Sequence, residues 1–325
     1  MVGKNKKPTR KKPWNVAGDK TATVAAIPFA CSSELAAIEF MEKQRWGATP
    51  ACPHCGALDV YMMRNSQGER APRYLWRCKS CKRQYSVRIG TVLEDSRIPL
   101  RHWCYAFWAA CASKKGVSAL QIKRQTGLSY KSALFLMHRI RWAMSDHQPG
   151  PLTGTVEVDE TYVGGKPRNQ RTRQEMGRTK RTPVMALVER GGRVRAFPLD
   201  RVTPTTLKQH VRENVDLSAR IMTDDALPYR GLAPEYRGGH FRVRHSIGEY
   251  ARKPDITTNT VEGFFSLLKR GMYGTFHSVS KRHLHRYVDE FAFRYNTREM
   301  DDGERTIAAI RGADGKRLMY STPTR

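Results

Sequence analysis

Hydrophobic positions recur every second residue in some parts of the chain and at helical spacing in others. Residues 155–166, TVEVDETYVGGK, show the period of two. Val156 and Val158 fall on one side of this segment, and Glu157 and Asp159 fall on the other, an alternation typical of a β-strand. Similar segments bounded by turn residues predict four further strands, at 183–190, 193–199, 219–225 and 240–246. Helical spacing predicts three helices between and after them, at 204–215, 258–271 and 278–296. The C-terminal half is therefore predicted to be an α/β domain.

The N-terminal half shows mainly helical spacing. Ser33 is placed to cap a helix over 33–45, and residues 99–112 predict an apolar helix in which Cys104 and Cys111 are core residues. Within 117–144, Gly127 separates a short helix from a longer basic helix that Ser129 would cap.

The helix pair over 117–144 is typical of a helix-turn-helix that reads DNA. A helical hairpin with a purely structural role shows the same pattern and is the alternative. The inner face of the second helix is predicted to carry Leu134, Met137, His138 and Trp142.

Four of the seven cysteines form two CxxC pairs, CPHC and CKSC. Pairs at this spacing can meet at the turns of two hairpins and offer four thiolates to one tetrahedral Zn²⁺, whereas two incidental pairs are the alternative. The predicted ligands of this structural zinc ion are Cys52, Cys55, Cys78 and Cys81. Aromatic and basic residues nearby predict a nucleic-acid-binding face on this zinc ribbon: Tyr74, Trp76, Tyr85, Arg73, Arg77, Lys79, Lys82 and Arg83.

The charge balance indicates the kind of partner. Lys and Arg number 58 against 30 Asp and Glu, which gives a net charge of +28 and an isoelectric point near 10.2. A surplus of this size indicates a polyanion, because basic residues that neutralise phosphates release counterions. Residues 1–13 carry six basic residues and no acid, and they are expected to form a disordered tail.

The same reasoning favours DNA over a membrane. No apolar run long enough to span a bilayer and no secretion signal is visible, so double-stranded DNA is the expected partner and no membrane is. An odd number of cysteines without such a signal argues against a disulfide framework. We therefore expect a cytoplasmic, nucleoid-associated protein.

The predicted order of elements in the C-terminal half is that of an RNase H-like domain: three strands, a helix, a strand that ends in acids, another strand and late helices. In that order Asp159 on the first strand lies beside Asp224 on the fourth. Two carboxylates on adjacent strands can bind a pair of Mg²⁺ ions, whose charge compensates for the cost of burying acids.

A third carboxylate is expected in the helix over 258–271. On a helical wheel Asn259, Glu262, Ser266 and Lys269 fall within an arc of roughly 80°. The opposing apolar stripe consists of Val261, Phe264, Phe265, Leu268 and Met272. An amphipathic helix with solvated charges is the simpler interpretation. The two strand acids, and a lysine two turns after Glu262, favour a site in which Glu262 binds metal and Lys269 contacts a phosphate.

Four segments carry a more specific signal: VEVDETYVGGK, TDDALPY, NTVEGFFSLLKRGMYGTFHSVS and HRYVDEFAFRYN. Together they resemble the DDE transposases of bacterial insertion sequences of the zinc-ribbon IS1595 type, which carry an ISXO-like transposase domain. The resemblance extends from about Cys52 to Asn296 and implies that Asp159, Asp224 and Glu262 are the catalytic, metal-binding triad. It assigns Lys269 as the basic residue that follows the glutamate.

Two positions bear on how closely the site matches the family pattern. Asn259 is a possible alternative third ligand, because some members of the family use Asn as that ligand. Asp225, beside Asp224, departs from the family, whose members usually have a non-acidic residue there.

The resemblance implies an α/β protein in which an RNase H-like DDE catalytic domain follows a small zinc ribbon and a helical helix-turn-helix region. Five parts are expected: a basic tail (1–32), a zinc ribbon with a preceding helix (33–96), a helix-turn-helix region (97–147), the catalytic domain (152–300) and a C-terminal tail (301–325). The expected cofactors are one structural Zn²⁺ and two catalytic Mg²⁺ or Mn²⁺ ions.

The expected activity is that of a DDE-type DNA transposase, a metal-dependent polynucleotidyl transferase. It would cleave at the terminal inverted repeats of an insertion sequence and join the 3′-OH ends to target DNA. Because two ends must be brought together, a homodimer or a larger assembly is expected.

Two other functions are compatible with parts of the pattern. A simple RNase H-like nuclease or junction resolvase would share the acids but would not join strands. A zinc-dependent DNA-binding regulator would keep the ribbon, and its RNase H-like domain would be non-catalytic.

Overall fold

The computed structural model describes residues 26–145, 150–164, 181–224, 227–229, 231–243, 251–252 and 255–319. The basic segment 1–13 and Asp225 lie outside these residues, as do the last positions of the strand predicted at 240–246. Residues 26–30, at the end of the expected tail (1–32), are helical, and Ile27 and Ala30 are buried, which corrects that part of the expectation. Within the described residues, no helix is both long and apolar enough to cross a membrane.

The N-terminal part contains a longer helix and a small antiparallel sheet. Helix α1 spans Glu34–Trp46 and is capped, as predicted, by Ser33, whose hydroxyl accepts a hydrogen bond from the Ala36 N–H at 3.1 Å. Three short strands follow: β1 at Val60–Met62, β2 at Trp76–Cys78 and β3 at Gln84–Tyr85. They pair in the order β1-β2-β3.

Two aromatic residues of the predicted nucleic-acid-binding face, Trp76 and Tyr85, face inward, which corrects their predicted role. Tyr85 is only 2% exposed, and Trp76 donates from Nε1 to Glu42 Oε1 at 2.8 Å. Both rings meet Trp46 edge-on. Three short strands bury too little surface to form a core alone, so these rings fill the space against α1. The basic residues that stay exposed are Arg73, Lys79, Lys82 and Arg83.

Three further helices form a layer behind the small sheet: α2 at Leu100–Ala112, α3 at Ala119–Thr126 and α4 at Tyr130–Met144. Gly127 makes the predicted turn between α3 and α4 with a φ of 74°, a left-handed conformation that glycine adopts without strain. Ser129 caps α4 by accepting from the Ser132 N–H at 3.1 Å. Cys104 and Cys111 are buried, as predicted.

Helix α4 is buried on more than one side, which corrects its predicted inner face. Met137 and His138 are buried as predicted, but Leu134 and Trp142 are only half-buried. Other fully buried apolar positions of this helix are Ala133, Leu136 and Ile140. Several helices contact α4, so a single apolar stripe does not identify its core face.

The C-terminal half contains a five-stranded mixed sheet. Its strands are β4 at Thr155–Gly164, β5 at Arg181–Glu189, β6 at Val194–Pro198, β7 at Arg220–Asp224 and β8 at His240–Val243. The order across the sheet is β6-β5-β4-β7-β8. Strands β4, β5 and β6 pair antiparallel, whereas β7 runs parallel to β4 and β8 runs parallel to β7. All five strands lie at segments that the sequence predicts to be strands.

A two-stranded ribbon that the sequence did not predict precedes the last helices. Strand β9 at Ala251–Arg252 pairs antiparallel with β10 at Ile256–Thr257.

Helices cover both faces of the large sheet. Helix α5 at Pro204–Asn214 packs on one face, and α6 at Asn259–Gly271 and α7 at Leu284–Asn296 pack on the other. The predicted stripe of α6, from Val261 to Met272, is buried against the sheet. Each buried Phe or Leu contributes roughly 1.5–3 kcal/mol, so the stripe fixes the rotation of α6 on the sheet.

The C-terminal segment contains a packed helix, which corrects the predicted tail. Helix α8 spans Asp302–Arg311 and starts with a capping box, in which Asp301 accepts from the Glu304 N–H at 2.8 Å and Glu304 accepts from the Asp301 N–H at 3.2 Å. Ala309 and Ile310 are buried in the same core as α1, α2 and α4. The D-x-x-E pattern that begins at Asp301 is the sequence signal for this helix.

A buried ion network fixes α7 against the N-terminal helices. Glu290 is fully buried and accepts from Arg141 Nε and Arg294 Nη2, each at 2.6 Å. Arg294 Nε also donates to the Ser113 carbonyl at 2.9 Å, and the Arg141 guanidinium lies 3.9 Å from the centre of the Tyr287 ring. The network therefore connects α4 and the end of α2 to a helix that covers the large sheet.

Candidate active site and zinc centre

The four cysteines of the CxxC pairs lie together at the turns of the small sheet. All four Sγ atoms lie within 4.8 Å of one another, and the Cys52–Cys81 and Cys55–Cys78 pairs are each 3.7 Å apart. A tetrahedron with Zn–S bonds of about 2.3 Å has sulfur–sulfur edges of about 3.8 Å, so the four thiolates fit one Zn²⁺. The Cys81 N–H, 3.4 Å from Cys78 Sγ, helps to lower the pKa of that thiol to about 6 and so favours the metal-binding thiolate.

Strand register brings two of the predicted acids together. Asp159 lies on β4, and Asp224 ends the parallel neighbour β7. The register pairs Val158 with Thr223, so each acid is the next residue on its own strand and the two side chains leave the same face of the sheet.

Helix α6 places Glu262 near this pair. Glu262 is exposed in the first turn of the helix, and its charge acts on Asp159. Ser266 and Lys269 are exposed farther along the helix, as the helical wheel predicts. Seven residues separate Lys269 from Glu262, which corresponds to about 10 Å along the helix axis.

The electrostatics of this acid cluster favour a bound cation. The pKa of Asp159 is raised to about 7, first by burial and then by the charges of Asp224, Glu160 and Glu262, although the Glu160 N–H that donates to Asp159 at 2.8 Å opposes the rise. Like charges this close destabilise one another unless a cation compensates them. Carboxylate oxygens are hard ligands that suit Mg²⁺ and Mn²⁺, so the residues fit such ions.

The spacing of the acids differs from that of the cysteines. In the described part of the chain, the cysteine cluster is the one group of three or more His, Cys, Asp or Glu whose ligand atoms all lie within 4.8 Å. The carboxylate oxygens are therefore spread more widely. Oxygens that serve two ions about 3.5–4 Å apart can be spread in this way, whereas a single ion needs a tighter set.

Sequence reasoning missed the partner of Glu160. The Tyr229 hydroxyl donates to Glu160 Oε2 at 2.5 Å, and Tyr229 itself is fully buried. Burial, followed by the charge of Glu160, raises the pKa of the tyrosine well above its ordinary value, so it remains a donor. The contact holds the chain after β7 against β4, beside Asp159. Tyr229 belongs to the TDDALPY segment, whose spacing alone does not show this contact.

Glu157 is the buried acid whose place the structure explains most fully. Its side chain is fully buried, and its Oε2 accepts from the backbone N–H of Thr260 at 2.7 Å and of Val261 at 3.0 Å. Its Oε1 accepts from Thr260 Oγ1 at 2.9 Å and from Arg190 Nε at 2.6 Å. The carboxylate is thus satisfied by the start of α6 and by one guanidinium.

Asn259 does not cap α6. The residue that precedes the helix is Thr258, whose own side chain makes no cap hydrogen bond, and Asn259 is the exposed first residue of the helix. The second and third N–H groups of α6 donate instead to Glu157, from another strand.

Family comparison follows the same division of the chain. Residues 151–296 match the model of the ISXO2-like transposase domain of IS1595 elements, and residues 32–84 match the transposase zinc-ribbon domain of the same elements. The chain therefore carries both a transposase domain and a zinc-ribbon domain of the IS1595 type. The transposase domain includes Asp159, Asp224 and Glu262, and the ribbon includes all four clustered cysteines.

Two individual proteins are similar to this chain. "Uncharacterized protein in transposable element ISH50" from Halobacterium salinarum is 29% identical over 275 residues, which cover 81% of this chain and 90% of that protein.

The second is a solved structure, a cryo-EM simian T-cell lymphotropic virus intasome in complex with PP2A regulatory subunit B56 gamma. It aligns at 15% identity and a TM-score of 0.26, over 56% of this chain and 62% of that chain, less than two thirds of its length. A TM-score this low carries no weight for the fold.

Proposed function

We propose that this protein moves an insertion sequence: it cleaves DNA at the terminal inverted repeats and joins the resulting 3′-OH ends to target DNA. The observation that carries this proposal is the cluster of Asp159 in the middle of β4, Asp224 at the end of β7 and Glu262 in the first turn of α6, in a chain with an IS1595-type transposase domain. The relative within a transposable element and the net charge of +28 support DNA as the substrate.

We propose that the domain with these acids, residues 152–300, is RNase H-like. Three antiparallel strands followed by two parallel ones, in the order β6-β5-β4-β7-β8, support this fold, as do helices on both faces. The arrangement explains why acids far apart in the sequence meet, because β4 and β7 become neighbours at the centre of the sheet.

Asp159, Asp224 and Glu262 would hold two Mg²⁺ or Mn²⁺ ions. When bound, such ions supply Lewis acidity at the scissile phosphate and charge for the attacking and leaving oxygens. The protein positions the ligands. Strand register fixes the positions of the two aspartates, and the packed stripe of α6 fixes the position of Glu262. No covalent enzyme intermediate is required, so no nucleophilic Ser, Tyr or Cys is assigned.

Lys269 is proposed to contact a DNA phosphate. Its side chain is exposed on the face of α6 that carries Glu262 and lies in the last turn of the helix. An ammonium at this distance from the acids can bind a phosphate that neighbours the scissile one, and so orient the strand in the site.

Helices α3 and α4 are proposed to recognise the inverted repeats as a helix-turn-helix. The basic residues in the middle of α4, Arg139 and Arg141, are buried, so they cannot read a groove. The exposed basic residues lie instead at the start of α4, at Lys131, and on α3, at Lys123 and Arg124. Recognition helices contact bases mainly with their N-terminal residues, which agrees with this distribution.

Two ends are joined in one transposition event, so we infer that at least two copies of the chain act together on DNA.

A strand-transfer assay tests the function. Purified protein with Mg²⁺ or Mn²⁺ should nick labelled DNA that contains the terminal inverted repeat, and should join the new 3′ end to a plasmid. DNA with a scrambled end is the matched substrate control. Cleavage without joining would identify a nuclease, and end-binding without any cleavage would identify a regulator.

A further inference from the structure

We propose that Glu157 is a positioning residue of the active site: it supplies the N-terminal cap of α6 from strand β4 and thereby fixes Glu262 opposite Asp159. This inference rests on the function proposed above. It assigns a role to an acid that touches neither metal nor DNA.

The contacts of Glu157 are those of a helix cap. An N-cap side chain accepts from the second or third N–H of a helix, and Glu157 Oε2 accepts from both, at Thr260 and Val261. The carboxylate also lies at the positive end of the helix dipole, which favours a negative charge there. The side chain of Thr258, the residue at the cap position, does not cap the helix.

Arg190 binds both Glu157 and the segment before the helix, and we call Glu157 and Arg190 together the clamp. While its Nε binds Glu157 at 2.6 Å, its Nη1 donates to the Asp255 carbonyl at 2.6 Å and its Nη2 to the Thr257 carbonyl at 2.8 Å. Arg190 follows β5, the strand on the other side of β4 from β7. One guanidinium therefore ties β10 and the start of α6 to the sheet.

The clamp lies between the groups that must be aligned. Glu157 precedes Asp159 by two residues on β4, so both side chains leave the same face. Val261, whose N–H the clamp holds, directly precedes Glu262. The buried stripe of α6 fixes how the helix rotates, but the cap fixes where its first turn lies over the strand. A displacement of this turn would move Glu262 relative to Asp159 directly.

Glu157→Gln tests the role, with Asp301→Asn as matched control. Both substitutions neutralise an acid that caps a helix, but Asp301 caps α8, which packs with α1 and α2. The first readout is the Mn²⁺ concentration that half-saturates the rise in melting temperature of the full chain. We expect Glu157→Gln to raise this midpoint about tenfold or more, in the range for residues that orient metal ligands, and Asp301→Asn to leave it within about twofold.

Activity separates a positioning residue from a metal ligand. Cleavage by Glu157→Gln should recover at high Mn²⁺, because the ligands themselves remain, whereas Asp159→Asn should not recover. Binding to the inverted repeat without metal should equal that of wild type. A wild-type Mn²⁺ midpoint in folded Glu157→Gln overturns the proposal, as does equal cleavage at low Mn²⁺.

Arg190→Lys keeps the test decisive if Glu157→Gln does not fold. This variant keeps the positive charge but cannot bind Glu157 and two carbonyls at once, so its Mn²⁺ midpoint should move in the same direction by a smaller factor. An unchanged midpoint in Arg190→Lys would then overturn the proposal. If wild type and Asp159→Asn respond alike to Mn²⁺, the proposed metal site itself fails, an outcome distinct from failure of the clamp alone.

Discussion

Glu157 and Asp159 show how two acids on one face of one strand acquire opposite roles from their surroundings. Glu157 receives four hydrogen bonds, one of them from a guanidinium, so its negative charge is compensated within the protein. Asp159 has three acidic neighbours, and its pKa is raised to about 7. The compensated acid holds structure, whereas the uncompensated one is suited to a cation.

Replacement of Asp159 or Asp224 by Asn should abolish cleavage while the protein stays folded and binds the inverted repeat. Each substitution removes one of the like charges, so the metal-free variants should melt no lower than wild type. Their melting temperatures should no longer rise with Mn²⁺, because ligand-linked stabilisation requires the site. Thermal melts with and without Mn²⁺, beside a nicking assay, check this. Near wild-type cleavage by either variant would show that the residue is not a ligand.

A second pair of substitutions tests whether Glu262 or Asn259 is the third metal ligand. Glu262→Gln should abolish metal-dependent cleavage and leave DNA binding intact, because an amide offers Mg²⁺ a dipole where a carboxylate offers a charge. Asn259→Ala should retain cleavage and change stability by no more than about 0.5 kcal/mol, since Asn259 is exposed and does not cap α6. Denaturant melts and cleavage rates measure both. The reverse pattern, with activity lost only in Asn259→Ala, would make Asn259 the third ligand.

Among the elements, those with local signals were predictable from the sequence. Helix ends were predictable because the side-chain and backbone preferences of capping residues act within four residues. The examples are Ser33, Gly127 and Ser129. Alternation located β4, and short apolar segments bounded by turn residues located the other four strands of the large sheet, because each of these patterns acts within one short segment. The stripe of α6 was predictable for the same reason.

Features that depend on distant partners were not predictable. Glu157 is 103 and 104 residues from the two N–H groups of α6 that it accepts from, so no local sequence pattern predicts its role as a cap. The aromatic rings of the ribbon suggested an exposed binding face, since their sequence does not show that α1 covers them. The buried Arg139 and Arg141 likewise look like DNA contacts until their partners are known.

A further prediction concerns Lys269 on helix α6. Lys269→Ala should weaken binding to the inverted repeat and reduce the slope of log affinity against log salt by about one, because one phosphate contact is lost. Lys208→Ala is the control, since Lys208 belongs to α5 on the opposite face of the sheet. Fluorescence anisotropy titrations over a range of salt concentrations give both slopes. Equal slopes for the two variants would exclude a phosphate contact by Lys269.

The small sheet should depend on zinc for its fold. A chelator should unfold β1–β3 and expose Trp46 and Trp76, because four closely spaced thiolates repel one another without a metal and the sheet has a small core. Tryptophan fluorescence during chelation and metal analysis of the reduced protein measure this. The melting response of the acid cluster to Mn²⁺ should persist after zinc is removed. Reduced, folded protein that contains no zinc would contradict the assignment.

At the scale of the whole molecule, buried charges join the helices proposed to bind DNA ends to the layer that carries the acids. Burial raises the pKa of Glu290, but Arg294 and Arg141 outweigh it and hold the pKa below its ordinary value. Glu290 is therefore ionised between two guanidinium groups, one from α4 and one from α7 itself. Together with α8, which packs on α1 and α2, this network sets where the proposed end-recognition helices lie relative to Asp159.

Glu290→Gln should destabilise the protein by about 3–5 kcal/mol, the cost of leaving a buried charge without its partner. The matched control is Glu235→Gln, which breaks a partly exposed pair with Arg212 and should cost no more than about 1 kcal/mol. Urea denaturation of both variants in zinc-containing buffer gives the two free energies of unfolding. Folded Glu290→Gln should keep its Mn²⁺ midpoint but lose strand-transfer efficiency on inverted-repeat DNA. The reason is that the proposed end-recognition helices are no longer held in a fixed position relative to the acid cluster. Equal, small losses of stability in both variants would show that the network does not join the two layers.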